Sequence, residues 1–99
     1  MDPEKVFQVS EFNEFVNLYL EGVGEVVIEG EISQINVSKR IFLFGTIKDK
    51  DASVGIFGIT HQISGYDLLE EGMLVHVYGS PNLYQKTGRF SIKATRIVP

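Results

Sequence analysis

The segment Glu29-Gly30-Glu31-Ile32-Ser33 and, after a polar loop, Phe42-Leu43-Phe44-Gly45-Thr46-Ile47-Lys48-Asp49 read as two consecutive strands. In the second, Leu43, Gly45 and Ile47 alternate with Phe42, Phe44, Thr46 and Lys48, so the period of two gives it two apolar faces. A single core needs only one of them. With Leu43 and Ile47 inward, Phe42 and Phe44 stand outside, beside Phe57 and Gly55 of the following strand. Gly30 would weaken an ordinary strand, but the first strand of a small barrel must bend to pair at both ends, and glycine permits that curvature.

Working outward, strands are expected at about Val26–Gln34, Ile41–Lys48, Ala52–Ile59, Leu74–Gly79 and Arg89–Ile97, separated by turn residues. In the first, Val26, Ile28, Gly30 and Ile32 share one side; in the fourth, Val75 and Val77 point inward; in the fifth, Phe90, Ile92 and Ala94 share a face. Between the third and fourth strands, His61–Gly72 is read as a connection with a short helix near Asp67–Glu71 that plugs the barrel's end. Upstream, Phe12, Phe15, Val16, Tyr19 and Leu20 recur at helical spacing, with Ser10 as the expected N-cap and Gly22 as the stop. This aromatic stripe is expected to pack on the sheet. The fold class is therefore all-β, a five-stranded Greek-key barrel with an N-terminal α-helix. Residues 1–24 form the helical element and 25–99 the barrel of a single domain, expected to be a piece of a longer chain that continues past Pro99.

With 99 residues, 43% of them hydrophobic, there is material for one core, and folding at this size hides about 60–65% of the unfolded surface. The absence of cysteine excludes disulfides, thiolate metal sites and a cysteine nucleophile, and fits a reducing compartment. Met1-Asp2-Pro3-Glu4-Lys5 lacks the basic and apolar regions of a signal peptide, and no apolar run is long enough to span a bilayer, so the expected location is cytoplasmic, without a membrane partner. The net charge of −4 is unevenly spread. Residues 1–25 hold one base against six acids, a net of −5, whereas residues 26–99 hold eight bases against seven acids, a net of +1. An acidic helix does not prevent a distant basic stripe from meeting phosphates.

Outward phenylalanines beside glycine offer what stacking a base requires, a flat apolar surface with nothing tall next to it. The cations fall at loops and strand ends: Lys39 and Arg40 before the second strand, Lys48 and Lys50 after it, Lys86 and Arg89 around the last hairpin, with Lys93 and Arg96 on the fifth strand. The candidate nucleic-acid-binding set is Lys39, Arg40, Phe42, Phe44, Lys48, Phe57, Lys86 and Arg89. No catalytic residue, metal site or cofactor is expected. Glu29 and Glu31 share a strand face without an acid/base companion in sequence, Asp49 and Asp51 read as turn-formers, and His61 and His76 lie apart without ligand spacing.

From Val9-Ser10-Glu11-Phe12-Asn13 to Ile97-Val98-Pro99, the order and spacing of Glu29-Gly30-Glu31-Ile32-Ser33, Thr46-Ile47-Lys48-Asp49, Gly72, Gly79, Leu83-Tyr84 and Gly88 resemble the N-terminal nucleic-acid-binding domain of the exonuclease VII large subunit family. The resemblance implies an OB-fold that binds across strands two and three, and a domain that holds single-stranded DNA for a catalytic region in the same longer chain, which assembles with small helical subunits. This sequence departs from that pattern at Asn36-Val37, Ile41, Gly55 and Thr60-His61, where relatives carry more glycine or basic residues. The resemblance thus implies a single-strand-binding module that is not itself an enzyme. The rival expectation is an OB domain that binds protein through its acidic helix and outer aromatics.

Overall fold

The computed structural model describes residues 4–99; Met1–Pro3, which enter the sequence reading through the signal-peptide argument and the charge of Asp2, lie outside the described residues. Helix α1 (Val9–Glu21) precedes strands β1 (Val26–Ser38), β2 (Phe42–Lys48), β3 (Ser53–Ile59), β4 (Leu74–Tyr84) and β5 (Arg89–Val98). The strands close in the order β1-β2-β3-β5-β4, antiparallel throughout except where β3 meets β5 in parallel.

Closure depends on the bend in β1. Its residues Val26–Glu31 pair with β4 and Glu31–Ser38 pair with β2, so Gly30 sits just before the changeover. A Cβ on Gly30 would lie 3.1 Å from Ile47 Cβ and 3.3 Å from the Lys48 carbonyl oxygen, so β2 would have to give by a few tenths of an ångström. A bulge between Ile32 and Gln34 then reverses the alternation, so that Ile32 before it and Ile35 after it both reach the core. This is why β1 runs to Ser38 and not to the expected Gln34: a strict period of two ends at the bulge. Inside, Ile32, Leu43, Ile47, Ile63, Val75 and Val77 are fully buried. Each stabilises the fold by about 1.5–3 kcal/mol relative to exposure.

The connection from β3 to β4 holds a short helix of 3-10 form at Tyr66–Leu68, slightly earlier than the expected Asp67–Glu71, preceded by another at Thr60–Gln62 with Gly65 at a φ of 77° between them. Ile63 and Leu69 enter the core from this segment. A segment this short does not nucleate an α-helix well and takes the tighter 3-10 form.

β4 continues to Tyr84, past the expected end at Gly79. Ser80-Pro81 reads as a break, yet β1 leaves β4 at Gly79, so beyond it Pro81 has no ladder partner on that side to disappoint. The freed edge is taken up by α1. Asn17 accepts from the Leu83 N–H at 3.0 Å and donates to its carbonyl at 2.8 Å, while Asn13 donates to the Gln85 carbonyl at 2.8 Å. A side-chain amide stands in for the missing strand.

That docking redirects the rest of the helix. The stripe expected to pack on the sheet is only partly covered: Phe15, Val16 and Leu20 are half-buried, no α1 residue is fully buried, and Phe12 and Tyr19 are 44% and 73% exposed. The asparagine row occupies the strand edge, and the aromatic row beside it packs on itself, Phe15 lying 5.2 Å from Phe7 and 5.0 Å from Tyr19 between ring centroids. The N-terminus also begins earlier than Ser10. Glu11 accepts from the Gln8 backbone N–H at 3.1 Å, which makes Gln8 the cap and leaves Ser10 inside the first turn.

Candidate nucleic-acid interface

Leu43 and Ile47 are buried in the barrel, so the alternation of β2 turns Phe42 and Phe44 outward, where they are 36% and 45% exposed. Antiparallel pairing sets Phe44 directly opposite Phe57 of β3 and Thr46 opposite Gly55. The three rings form one cluster. Phe42 and Phe57 lie 6.1 Å apart and 24° from parallel, Phe44 and Phe57 5.4 Å apart, and Phe42 and Phe44 6.4 Å apart. Beside Phe57, Gly55 leaves the surface low.

One end of this aromatic surface is a basic turn. Lys39 and Arg40 have φ of 53° and 60°, a pair of left-handed residues closed by the Ile41 N–H donating to the Ser38 carbonyl at 3.0 Å. Such a turn ordinarily takes Asn-Gly, and a branched or long side chain in each left-handed position costs about 1 kcal/mol or more. It is held by Thr60, a buried residue whose hydroxyl donates to the Arg40 carbonyl at 2.7 Å and whose N–H donates to the Ile41 carbonyl at 2.9 Å. The strained pair carries two positive charges next to Phe42, whose register partner is Ser38.

Lys86 and Arg89 lie on the β4–β5 hairpin, closed by the Gly88 N–H donating to the Tyr84 carbonyl at 2.7 Å and tied to α1 through Asn13 and Asn17. Lys48 stands apart. It is at the end of β2 opposite the basic turn, four residues or about 13 Å along the strand from Phe44, in a groove with Glu29, Glu31 and Asp49. Among the described residues none of the cations pairs with a carboxylate; the only ion pair is that of His76 with Glu29. Arg96 is instead engaged over the Tyr78 ring, 4.9 Å from its centroid.

That ion pair corrects the reading of both residues as lacking companions. β1 and β4 set Glu29 opposite His76, and their side chains meet at 3.1 Å on the exposed outer face. Neither a nucleophile nor a third ligand joins them, and among the described residues no three His, Cys, Asp or Glu are grouped to hold a metal ion. At the β2–β3 turn, Asp49 accepts from the backbone N–H groups of Asp51 and Ala52 at 2.8 and 2.9 Å, which holds its carboxyl below the usual 3.8. It forms the turn.

Two features escape a sequence reading. Thr60 has no motif to mark it, because its role depends on where β3 ends relative to the β1–β2 turn. Lys93 is visible as out of phase with Phe90, Ile92 and Ala94, but that β5 lies parallel to β3 with Lys93 directly beside Phe57 is a long-range fact.

A closed five-stranded barrel with this strand order, an aromatic cluster on β2 and β3 and unpaired cations in the adjoining loops is matched by a family model described as OB-fold nucleic acid binding domain, over residues 7–98. The chain belongs to that family. The OB-fold is also similar to part of the exodeoxyribonuclease 7 large subunit of Corynebacterium glutamicum, at 35% identity over 98% of this chain and 24% of the relative. The same-named protein of Fusobacterium nucleatum is 34% identical over 95% of this chain and 24% of its own length, and that of Nautilia profundicola 30% identical over 92% and 21%. The chain thus spans about a quarter of the length of these relatives. No helix among the described residues is long and apolar enough to cross a membrane.

Proposed function

We propose that this OB domain holds single-stranded DNA across β2 and β3, with bases stacked on Phe42, Phe44 and Phe57 and the sugar-phosphate chain met by Lys39 and Arg40 at one hairpin and by Lys86 and Arg89 at the other. The observation that carries this reading is the cluster of three outward phenylalanines, which the core does not use, adjoined by cations that no carboxylate among the described residues neutralises. Stacking tolerates any base because every base has an apolar face, and charge along the track attracts the chain regardless of sequence. Lys48, at the far end of β2 amid carboxylates, is the weakest member of the set. A single strand suits the surface better than a duplex, whose bases are not available for stacking. The names of the similar proteins point to DNA and to hydrolysis. We assign the hydrolytic chemistry to a region outside this chain, which would serve it by positioning the strand.

The test is a fluorescence-anisotropy titration of the 99-residue chain with a single strand of about 15 nucleotides at low salt. Contact with about three phosphates predicts a log K that falls with log salt at a slope near −2, and weaker binding of the corresponding duplex. Absence of single-strand binding would remove the proposal.

A further inference from the structure

The aromatic surface does not end at β3. Following the register across the barrel, Phe44 of β2 lies opposite Phe57 of β3, Phe57 opposite Lys93 of β5, and Lys93 opposite Ser80 of β4. Register partners point to the same side of a sheet, so these four side chains form one outward row, with neighbouring strands about 4.8 Å apart. Lys93 is exposed and without an ion-pair partner among the described residues. Arg89 and Ser91, four and two residues before it on the same strand, belong to the same face. Lys93 itself lines an open groove of about 400 Å³ between the barrel and the end of α1, together with Ser80, Asn82, Thr95, Glu21 and Glu25.

We propose that Lys93 is a phosphate-binding residue for single-stranded nucleic acid, and that the strand crosses the barrel along this row, from β2 over β3 to β5, leaving Lys93 to meet the phosphate next to the base stacked on Phe57. The inference rests on the single-strand reading above and adds a direction and an end to it. A flexible lysine one strand beyond a stacking ring can reach the backbone flanking that base, and among the described residues its ammonium has no ion-pair partner to give up. Glu21 and Glu25 in the groove oppose a further phosphate, so the track stops at Lys93 rather than continuing along α1.

The experiment compares the whole 99-residue chain with Lys93→Gln, Lys93→Arg, Lys50→Gln and Phe44→Ala, each titrated with labelled oligothymidylate across a salt series. Loss of one phosphate contact predicts that Lys93→Gln binds roughly threefold to tenfold more weakly at low salt, with a slope shallower by about 0.7. Lys93→Arg keeps the slope, and Lys50→Gln, which alters a lysine in the β2–β3 turn, changes neither quantity. If Phe44→Ala weakens binding while Lys93→Gln matches the unmodified chain, the path over β5 is wrong and the platform stands. If the unmodified chain does not bind, both fall together.

Discussion

The molecule carries two aromatic clusters of similar size. On the barrel, Phe42, Phe44 and Phe57 lie 5.4–6.4 Å apart; on the helix side, Phe7, Phe12, Phe15 and Tyr19 lie 5.0–5.6 Å apart along a chain of contacts. Both keep much of their surface in solvent. What separates them is charge. The barrel cluster adjoins Lys39, Arg40 and Lys93, whereas the helix-side cluster has one cation, Lys5 at 5.4 Å from the Phe7 centroid, against Glu11, Glu14 and Glu21 on α1. On the proposed reading, a polyanion with flat bases would favour the first over the second, although stacking chemistry alone would suit either. An aromatic surface acquires a ligand class from the charges around it.

The sharpest way to break this comparison is to delete one ring from each cluster. Phe44→Ala is expected to weaken single-strand binding by about 1–3 kcal/mol, the worth of one stacked base, with little change in melting temperature, while Phe12→Ala leaves the affinity unchanged. Equal losses from both variants in the same titration would show that charge does not select between the clusters. A stability loss of about 3–5 kcal/mol for Phe44→Ala, measured by denaturant unfolding, would instead mark it as core.

A smaller effect sharpens the basic side. Arg40→Gly removes a left-handed strain and a cation together, so the protein should gain about 0.5–1 kcal/mol of stability while its salt slope becomes shallower by about 0.7. Opposite signs from a single substitution, read by urea unfolding and by titration, would identify the turn as strained for binding. Lower stability with unchanged binding would refute that. The smallest effect lies at Asp49, away from both clusters. Its carboxyl is held below 3.8 by two backbone N–H groups, so its contribution is present above that value and is lost as pH falls through the lower folded value. Asp49→Asn should therefore flatten the acid limb of the stability curve below about pH 4 without altering binding at neutral pH.

Much of this was legible in the chain. Strand alternation placed Leu43 and Ile47 inside and the phenylalanines of β2 outside, because the period of two admits only two faces and the core could use one. Gly30 marked the bend because a mid-strand glycine permits the curvature a closing strand needs, and in the barrel an added Cβ would crowd Ile47 at 3.1 Å. The extent of β1 and β4 was not legible. It depends on a bulge at Ser33 and on an edge that α1 covers with Asn17, and neither a bulge nor a distant amide leaves a periodic trace.

The amino-acid sequence by itself determined the class of fold, the two faces of each strand and the uneven distribution of charge, all properties of short stretches read one at a time. Which surfaces meet was decided only in three dimensions: His76 beside Glu29, Thr60 beneath the Lys39–Arg40 turn, and Lys93 beside Phe57. Each of these joins residues from separate elements of the chain, brought together by barrel closure and register. Local preferences carry no information about such pairings, because they exist only once every strand has found its neighbour.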